Sequence, residues 1–231
     1  MHRFAALAAA AASVLVPIAD AGNLVWNQGF ETDTAGWQDQ NSGWFGTVTR
    51  VASGTNGVSS SSGSWHAVFT DETPDYTAPF SPFDGYRDSW PGGMTASIDV
   101  YLDTAWSAGE GFDYAVAASR QTGAHLRDFI FHVTKDTSTG DLLVGGSNNS
   151  NFSPREDLDT LSNNVTIASA GWYTFEHDFR DAGDGTLACD LNLYDPAGNL
   201  IFTETRNHGS DVIATEIGGN RYGWFTVIDV A

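Results

Sequence analysis

Strict alternation of apolar and polar residues is the feature that most constrains this chain. From Met94 to Leu102 every even-numbered residue is apolar, and the odd-numbered residues between them are mostly polar. From Trp172 to Phe179 the odd-numbered residues carry aromatic rings, whereas the even-numbered ones are mostly polar. A period of two over such lengths predicts β-strands with at least one buried face.

Turn-forming residues separate the alternating segments. Clusters of Asp, Pro and Gly occupy 136–140, 181–185 and 195–198, at lengths typical of hairpin loops. No amphipathic helix of three turns follows the first residues of the chain. Counting every such segment gives about a dozen short strands, which predicts an all-β, antiparallel β-sandwich.

The amino terminus reads as an export signal. Met1-His2-Arg3 gives a basic start, an Ala-rich apolar run extends from Phe4 to Ala19, and Ala19-Asp20-Ala21 offers small residues for a signal peptidase. A membrane anchor is the alternative, but the run is shorter than the ~20 residues of a spanning helix. We therefore expect a signal peptide over 1–21, no membrane span in the mature chain, and one β-sandwich domain over 22–231.

Charge and cysteine content exclude several classes of partner. The formal net charge is −19 with only ten Lys and Arg residues, so no basic surface is available for nucleic acid or an anionic membrane. Because Cys189 is the one cysteine of the sequence, an intramolecular disulfide is excluded. Because it lies among alternating leucines, Cys189 is expected to be a small buried hydrophobic residue rather than a reactive thiol.

A stretch near the start of the expected mature chain resembles a known class of exported module. The segment Asn23-Leu-Val-Trp-Asn-Gln-Gly-Phe-Glu31, followed by Ala35-Gly-Trp37, resembles the opening of jelly-roll carbohydrate-binding modules. The resemblance implies a jelly-roll or concanavalin A-like sandwich. It also implies that Glu31 and Asp229 hold a structural calcium ion, with two exposed acids at a strand edge as the alternative.

The second half of the chain resembles a different group. The segments 172–176, 187–199 and 219–224 look like uncharacterised bacterial exported proteins, some of which are substrates of the PEP-CTERM sorting system. That family ends in a Pro-Glu-Pro motif, an apolar helix and basic residues, none of which is found before Ala231. We expect either that the sequence is truncated inside a strand or that the protein is released rather than sorted.

The segment from Asp71 to Gly93 is the most suggestive binding site in the sequence. It is expected to be a long loop in which aromatic rings stand beside carboxylates and one arginine, a combination that suits the C–H face and the hydroxyl groups of a sugar. Alternatively, the aromatic residues fold the loop onto the sandwich. The expected ligand-binding residues are Tyr76, Phe83, Asp84, Tyr86, Arg87, Asp88 and Trp90.

No motif in the sequence predicts catalysis. His132 shares a strand face with Asp128, which would allow acid–base chemistry, but such a histidine is more often a hydrogen-bonded core residue. No strand shows the paired glutamates of sandwich-fold glycosidases, and no nucleophile elbow or phosphate loop is present. We expect no catalytic residues, no required cofactor and at most a structural calcium ion.

Together these patterns predict a non-catalytic exported or cell-surface protein that binds glycan or extracellular matrix. A structural surface protein with no small ligand is one alternative. A polysaccharide-degrading enzyme is a second alternative. The sequence does not specify the ligand or the oligomeric state.

Overall fold

The computed structural model describes residues 7–10, 26–71, 77–83, 85, 87–150, 158 and 163–229. Strands dominate this part of the chain, and two short 3-10 helices cover Gln40–Ser42 and Thr55–Gly57. The strands are β1 (Leu7–Ala10), β2 (Thr47–Ala52), β3 (Trp65–Thr70), β4 (Thr77–Ser81), β5 (Met94–Leu102), β6 (Glu110–Arg120), β7 (His125–Lys135), β8 (Leu142–Asn149), β9 (Asn164–Ile167), β10 (Gly171–Asp181), β11 (Thr186–Tyr194), β12 (Leu200–Val212) and β13 (Ile217–Asp229).

The strands form two antiparallel sheets. The seven-stranded sheet has the order β12-β11-β10-β5-β1-β3-β2, and the six-stranded sheet has the order β4-β13-β6-β7-β8-β9. Rings from the two sheets meet in one hydrophobic core, where Phe175 of β10 lies 5.9 Å from Phe112 and 5.0 Å from Phe131, centroid to centroid. The structure therefore confirms the predicted all-β, antiparallel sandwich.

The alternation read from the sequence matches the burial of the side chains. In β10 the odd-numbered residues from Tyr173 to Phe179 are buried, whereas the even-numbered residues from Trp172 to Arg180 are only partly buried. The prediction for Cys189 is also confirmed, because the side chain is fully buried and burial raises the pKa of its thiol. Period-two patterning therefore determines which side of each strand enters the core.

An aspartate organises each of the three predicted turns. The Oδ1 atom of Asp181 accepts hydrogen bonds from the backbone N–H groups of Gly183 and Gly185, at 2.7 and 3.0 Å. Asp195 and Asp136 accept equivalent backbone bonds in their own turns. The glycines adopt positive φ angles, such as +98° at Gly183, which other residues rarely tolerate. These turns confirm the predicted hairpin connections.

The sequence predicts a loop over 71–93, but the structure shows that part of this segment is a strand. Residues Thr77–Ser81 form β4, which pairs with β13 at the edge of the six-stranded sheet. The strand is five residues long and contains Pro79, so it carries only a weak sequence signal. Pro79 has no N–H to donate, and it lies where the pairing of β4 with β13 shifts register between Trp224 and Thr226, a position at which a strand tolerates proline.

Strand β1 lies inside the expected signal peptide. Leu7 is the register partner of Phe69 in β3, and Ala9 is the partner of both Ala67 in β3 and Val100 in β5. Removal of residues 1–21 would take this strand out of the seven-stranded sheet and leave the facing edges of β3 and β5 unpaired. Over the described ranges, no helix is long and apolar enough to cross a membrane.

Candidate functional site

The outer side of the seven-stranded sheet carries a continuous row of polar side chains. Register pairs on neighbouring strands share a face, so Asp99 of β5 stands beside Thr174 of β10, which in turn stands beside Tyr194 of β11. We use the name open face for the polar and aromatic side chains of this surface that are not buried: Thr95, Asp99, Tyr101, Trp172, Thr174, Glu176, Asp178, Arg180, Asp190, Asn192 and Tyr194. All of these side chains are partly exposed.

Hydrogen bonds between strands hold the carboxylates of the open face in place. Glu176 Oε1 accepts from the hydroxyl of Tyr194 at 3.0 Å and from the amide of Asn192 at 3.1 Å. Arg180 donates to both oxygens of Asp190, at 2.6 and 2.9 Å, in a bidentate pair. The polar groups are therefore fixed by the sheet and do not need to be ordered by a ligand.

The pKa values of two neighbouring acids on the open face are shifted in opposite directions. Burial, together with the charges of Glu176 and Asp190, raises the pKa of Asp178. Burial also acts on Asp190, but the hydrogen bonds from Arg180 and Thr205 outweigh it and lower the pKa of Asp190. Burial and the carboxylate of Glu176 raise the pKa of Tyr194 to about 12. Clusters of shifted pKa values are typical of functional sites, although structural ion-pair networks also produce them.

Two aromatic side chains, Tyr101 and Trp172, form one end of the open face, and the ring of His66 is buried beside them. The ring of Trp172 lies edge-on to Tyr101, at 5.5 Å between centroids, and edge-on to His66 of β3, at 5.9 Å. The indole nitrogen of Trp172 donates to the carbonyl of Ser59 at 2.6 Å. Burial lowers the pKa of His66, which favours its neutral form.

The loop 53–64 packs over this aromatic end. Ser61 donates to Asp99 Oδ2 at 2.6 Å, and Asp99 Oδ1 accepts from Thr174 at 2.6 Å. Glu31 fixes the far end of the loop, because its Oε1 atom accepts from the backbone N–H groups of Ser64 and Trp65, at 2.9 and 3.0 Å. The loop therefore forms a wall beside the row of polar groups.

A cavity of about 190 Å³ lies between this loop and the sheet. Its lining combines the aromatic rings of Tyr101, Trp106 and His66 with the polar groups of Asn56 and Asp103. Pockets for drug-sized ligands measure roughly 300–1,000 Å³, so this cavity is suited to a single small ring or one unit of a longer chain.

Four of the ligand-binding residues predicted from the sequence are described, and they lie in the segment that follows β4 of the six-stranded sheet. Phe83 contacts Trp26, at 5.8 Å between ring centroids, and Trp90 packs against the hydrophobic core. The backbone of Arg87 is bonded to Asn220 and Ser119, and Asp88 is exposed. The two described rings thus face the protein, as in the alternative in which the loop folds onto the sandwich. The other predicted residues, Tyr76, Asp84 and Tyr86, lie outside the described residues.

The two residues predicted to bind calcium lie in different parts of the sandwich. Glu31 is outside any strand and contacts the start of β3, whereas Asp229 is the backbone partner of Glu110 in the six-stranded sheet. Within the described ranges, no group of three or more His, Cys, Asp or Glu side chains is arranged to hold a metal ion. The calcium site stays a prediction.

Sequence reasoning identified the strands of the open face but not the surface itself. The alternation predicts that the even-numbered residues of β10 lie on the side opposite the aromatic core, and the structure confirms this. What the sequence did not reveal is that β5, more than 60 residues earlier, lies beside β10 and brings Asp99 and Tyr101 to the same row. The alternating acids Glu176 and Asp178 beside Trp172 were the available signal.

Comparison with known proteins adds no assignment. No family model, no curated protein and no solved structure matches this chain.

Proposed function

We propose that this is an exported or cell-surface protein that binds a neutral glycan along the open face without cleaving it. The observation that carries the proposal is the placement of Tyr101 and Trp172 in line with Asp99, Thr174 and Glu176 on one sheet surface. Aromatic faces stack on the C–H side of a sugar ring, and fixed carboxylates and hydroxyls bond to the sugar hydroxyls.

The charge of the protein supports a neutral ligand. The formal net charge is −19, and the one arginine of the open face, Arg180, is already paired with Asp190. An anionic polysaccharide would be repelled from such a surface. Hydrogen bonds from sugar hydroxyls to carboxylates are stronger than bonds to neutral acceptors, so acidic side chains still suit an uncharged glycan.

The state of the carboxylates favours binding over cleavage. A retaining glycosidase needs one carboxylate free to attack the sugar and a second acid free to protonate the leaving group. Here the Asp190 carboxylate is clamped by Arg180, and Glu176 is bonded by Asn192 and Tyr194. The expected jelly-roll resemblance points in the same direction, because many such modules bind sugars without catalysis.

Retention on polysaccharides tests the proposal directly. The full-length protein is run through native gels containing neutral soluble polysaccharides and is mixed with insoluble ones. Tyr101→Ala and Trp172→Ala are expected to lower the affinity by about tenfold, because each removes a stacking surface. Tyr222→Ala, on the outer side of the six-stranded sheet, is the matched control and should leave retention unchanged.

The same experiment separates the open face from the segment predicted by sequence. If Tyr86→Ala and Trp90→Ala abolish retention while Trp172→Ala does not, the binding site lies in 71–93 instead. If the native protein is retained by none of the polysaccharides, the alternative of a structural surface protein with no small ligand replaces the proposal. Melting temperatures of all variants show whether each one is folded.

A further inference from the structure

Three neighbouring strands of the six-stranded sheet bring an aspartate, a histidine and a serine into one hydrogen-bonded chain. Asp113 of β6 is the register partner of His132 of β7, and its Oδ1 atom lies 2.7 Å from His132 Nδ1. On the other side of the ring, His132 Nε2 lies 2.7 Å from Ser147 Oγ of β8. The sequence places Asp128 on the same strand face as His132, but Asp128 bonds to His125, at 3.1 Å.

All three residues lie on the outer side of this sheet and are nevertheless buried. Their exposed fractions are 5% for Asp113, 1% for His132 and 2% for Ser147. The neighbouring residues Phe112 and Phe131 point the other way, into the core between the sheets. We call the surface formed by Asp113, Asp128, His132 and Ser147 the sealed face.

The donors and acceptors determine where the hydrogen atoms lie in this series of three hydrogen-bonded side chains. A carboxylate only accepts hydrogen bonds, so His132 Nδ1 carries the hydrogen that bonds to Asp113. In the neutral ring Nε2 then has a lone pair, and the hydrogen of the second bond comes from the hydroxyl of Ser147. A serine whose proton points at an imidazole nitrogen, with a carboxylate behind the ring, is arranged as an activated nucleophile.

The other histidines of the described chain have only part of this arrangement. His66 contacts the hydroxyl of Ser60, His125 contacts the carboxylate of Asp128, and His177 bonds to a backbone carbonyl. His208 contacts the hydroxyl of Ser210, and its ring nitrogen is 4.0 Å from Asp211, with both partners on the same atom, Nδ1. His132 thus differs from them in having a carboxylate on one ring nitrogen and a hydroxyl on the other.

We propose that Ser147 is a nucleophile for acyl transfer from small carboxylic esters, with His132 as its general base and Asp113 as the residue that positions the ring. The Oγ–carbon bond forms as the proton passes to His132 Nε2, and the bond to the alcohol breaks as that proton passes to the leaving oxygen. Water then attacks the acyl-serine, His132 again carries the proton, and the carboxylic acid and the free hydroxyl are released.

Burial of Ser147 determines the choice of reagent. With 2% of its surface exposed, the serine is expected to react with compact acyl or phosphonyl groups and not with the bulky glycan proposed for the open face. The full-length protein is therefore incubated with a short-chain fluorophosphonate, which phosphonylates Ser147 with loss of fluoride. Intact mass and peptide mapping identify the modified residue, and hydrolysis of 4-nitrophenyl acetate is followed across pH.

The expected result is one phosphonyl group on Ser147. Ser147→Ala and His132→Gln should both lose the labelling, whereas Ser119→Ala should keep it. Ser119 is the matched control, because it is a buried serine in the same sheet whose hydroxyl bonds to backbone carbonyls and not to a histidine. Asp113→Asn allows the opposite ring tautomer and should slow labelling by about a thousandfold or more and alter the pH profile of ester hydrolysis.

Two results would overturn the proposal. The first is that Ser147 of the native protein is not labelled although a known serine hydrolase in the same tube is. The second is that the native protein and His132→Gln are labelled equally. Either would show that the three residues only hold the strands together. Circular dichroism identifies variants that fail to fold. In that case Asp113→Asn, which keeps the size and shape of the side chain, decides the question through its pH profile.

Discussion

The outer faces of the two sheets differ in how far their polar side chains are exposed to water and in what those side chains bond to. On the open face, residues such as Glu176 and Asp178 are partly exposed, so water can still satisfy whatever the protein leaves unbonded. On the sealed face, Asp128 and His132 are buried and bonded to other side chains. Both faces arise from the same period-two alternation, yet one leaves its polar groups partly open to solvent and the other bonds them to one another in the protein.

This difference assigns a different energetic role to each face. A buried polar group without a partner costs about 1–3 kcal/mol, and a buried unpaired charge costs more. A partly exposed polar group costs little when its partner is removed, because water replaces the lost bond. Substitutions on the sealed face and between the sheets should therefore change stability, whereas those on the open face should change binding.

The largest effect is expected where the two sheets meet. Arg127 of β7 forms a bidentate pair with Asp211 of β12, and its Nη2 atom lies 3.1 Å from Asp211 Oδ1. Asp211 is fully buried, so Arg127→Ala should lower the free energy of unfolding by about 3–5 kcal/mol. Urea unfolding followed by tryptophan fluorescence measures the change.

The open face supplies the control for that variant. Arg180 also forms a bidentate pair, with Asp190, but 43% of its side chain is exposed. Arg180→Ala should therefore cost less than about 1 kcal/mol. Equal losses for the two arginine variants would contradict the comparison between buried and exposed pairs.

The next effect is expected at the centre of the sealed face. His132→Ala removes the partner of both Asp113 and Ser147, and the free energy of unfolding should fall by about 1–3 kcal/mol. Thermal and urea denaturation should agree on the change. His208→Ala, whose side chain is 56% exposed, should change stability by no more than about 0.5 kcal/mol. A loss for His208→Ala as large as that for His132→Ala would mean that burial does not explain the difference.

A smaller effect should appear as acid sensitivity. His177 points into the core, on the side of β10 opposite to Glu176 and Asp178, and burial lowers its pKa from 6.5 to about 3. Below pH 6.5 the unfolded chain binds a proton that the folded chain excludes, so stability falls as the pH falls toward 3. From pH 6.5 to pH 5.5 the loss from this group is about 1 kcal/mol.

Replacement of His177 isolates that contribution. His177→Phe removes the titrating ring and also the Nδ1 atom, which is buried without a hydrogen-bond partner. The variant should lose less stability than the native protein between pH 6.5 and pH 5.5 in urea titrations. An unchanged pH dependence would assign the acid sensitivity to other groups.

The smallest effect on stability is expected for the open face itself. Glu176→Gln keeps an acceptor oxygen for Asn192 and Tyr194, so stability should change by less than about 0.5 kcal/mol. Retention on a neutral polysaccharide should nevertheless fall several-fold, because a carboxylate accepts stronger hydrogen bonds than an amide. Glu216→Gln, which alters an exposed ion pair with Arg120, should leave retention unchanged.

Most of the fold could be predicted from the sequence, but little of either polar face could. The alternation in β5, β10 and β11 and the aspartate-led turns indicated strands, their buried sides and their hairpins. Strand β4 was not predicted, because an edge strand with a proline has little periodic signal. The pairing of His132 with Asp113 could not be predicted from the sequence, because it depends on the register of β6 against β7.

The sequence by itself determined that the chain forms an antiparallel sandwich and which residues of each strand enter the core. The physical reason is that period-two alternation is local, and each strand carries its own division into two sides. Only the tertiary structure decided which outer side chains meet, because strand order and register join residues far apart in the chain. Trp172 meets Tyr101, and Ser147 meets His132, only after those strands have paired.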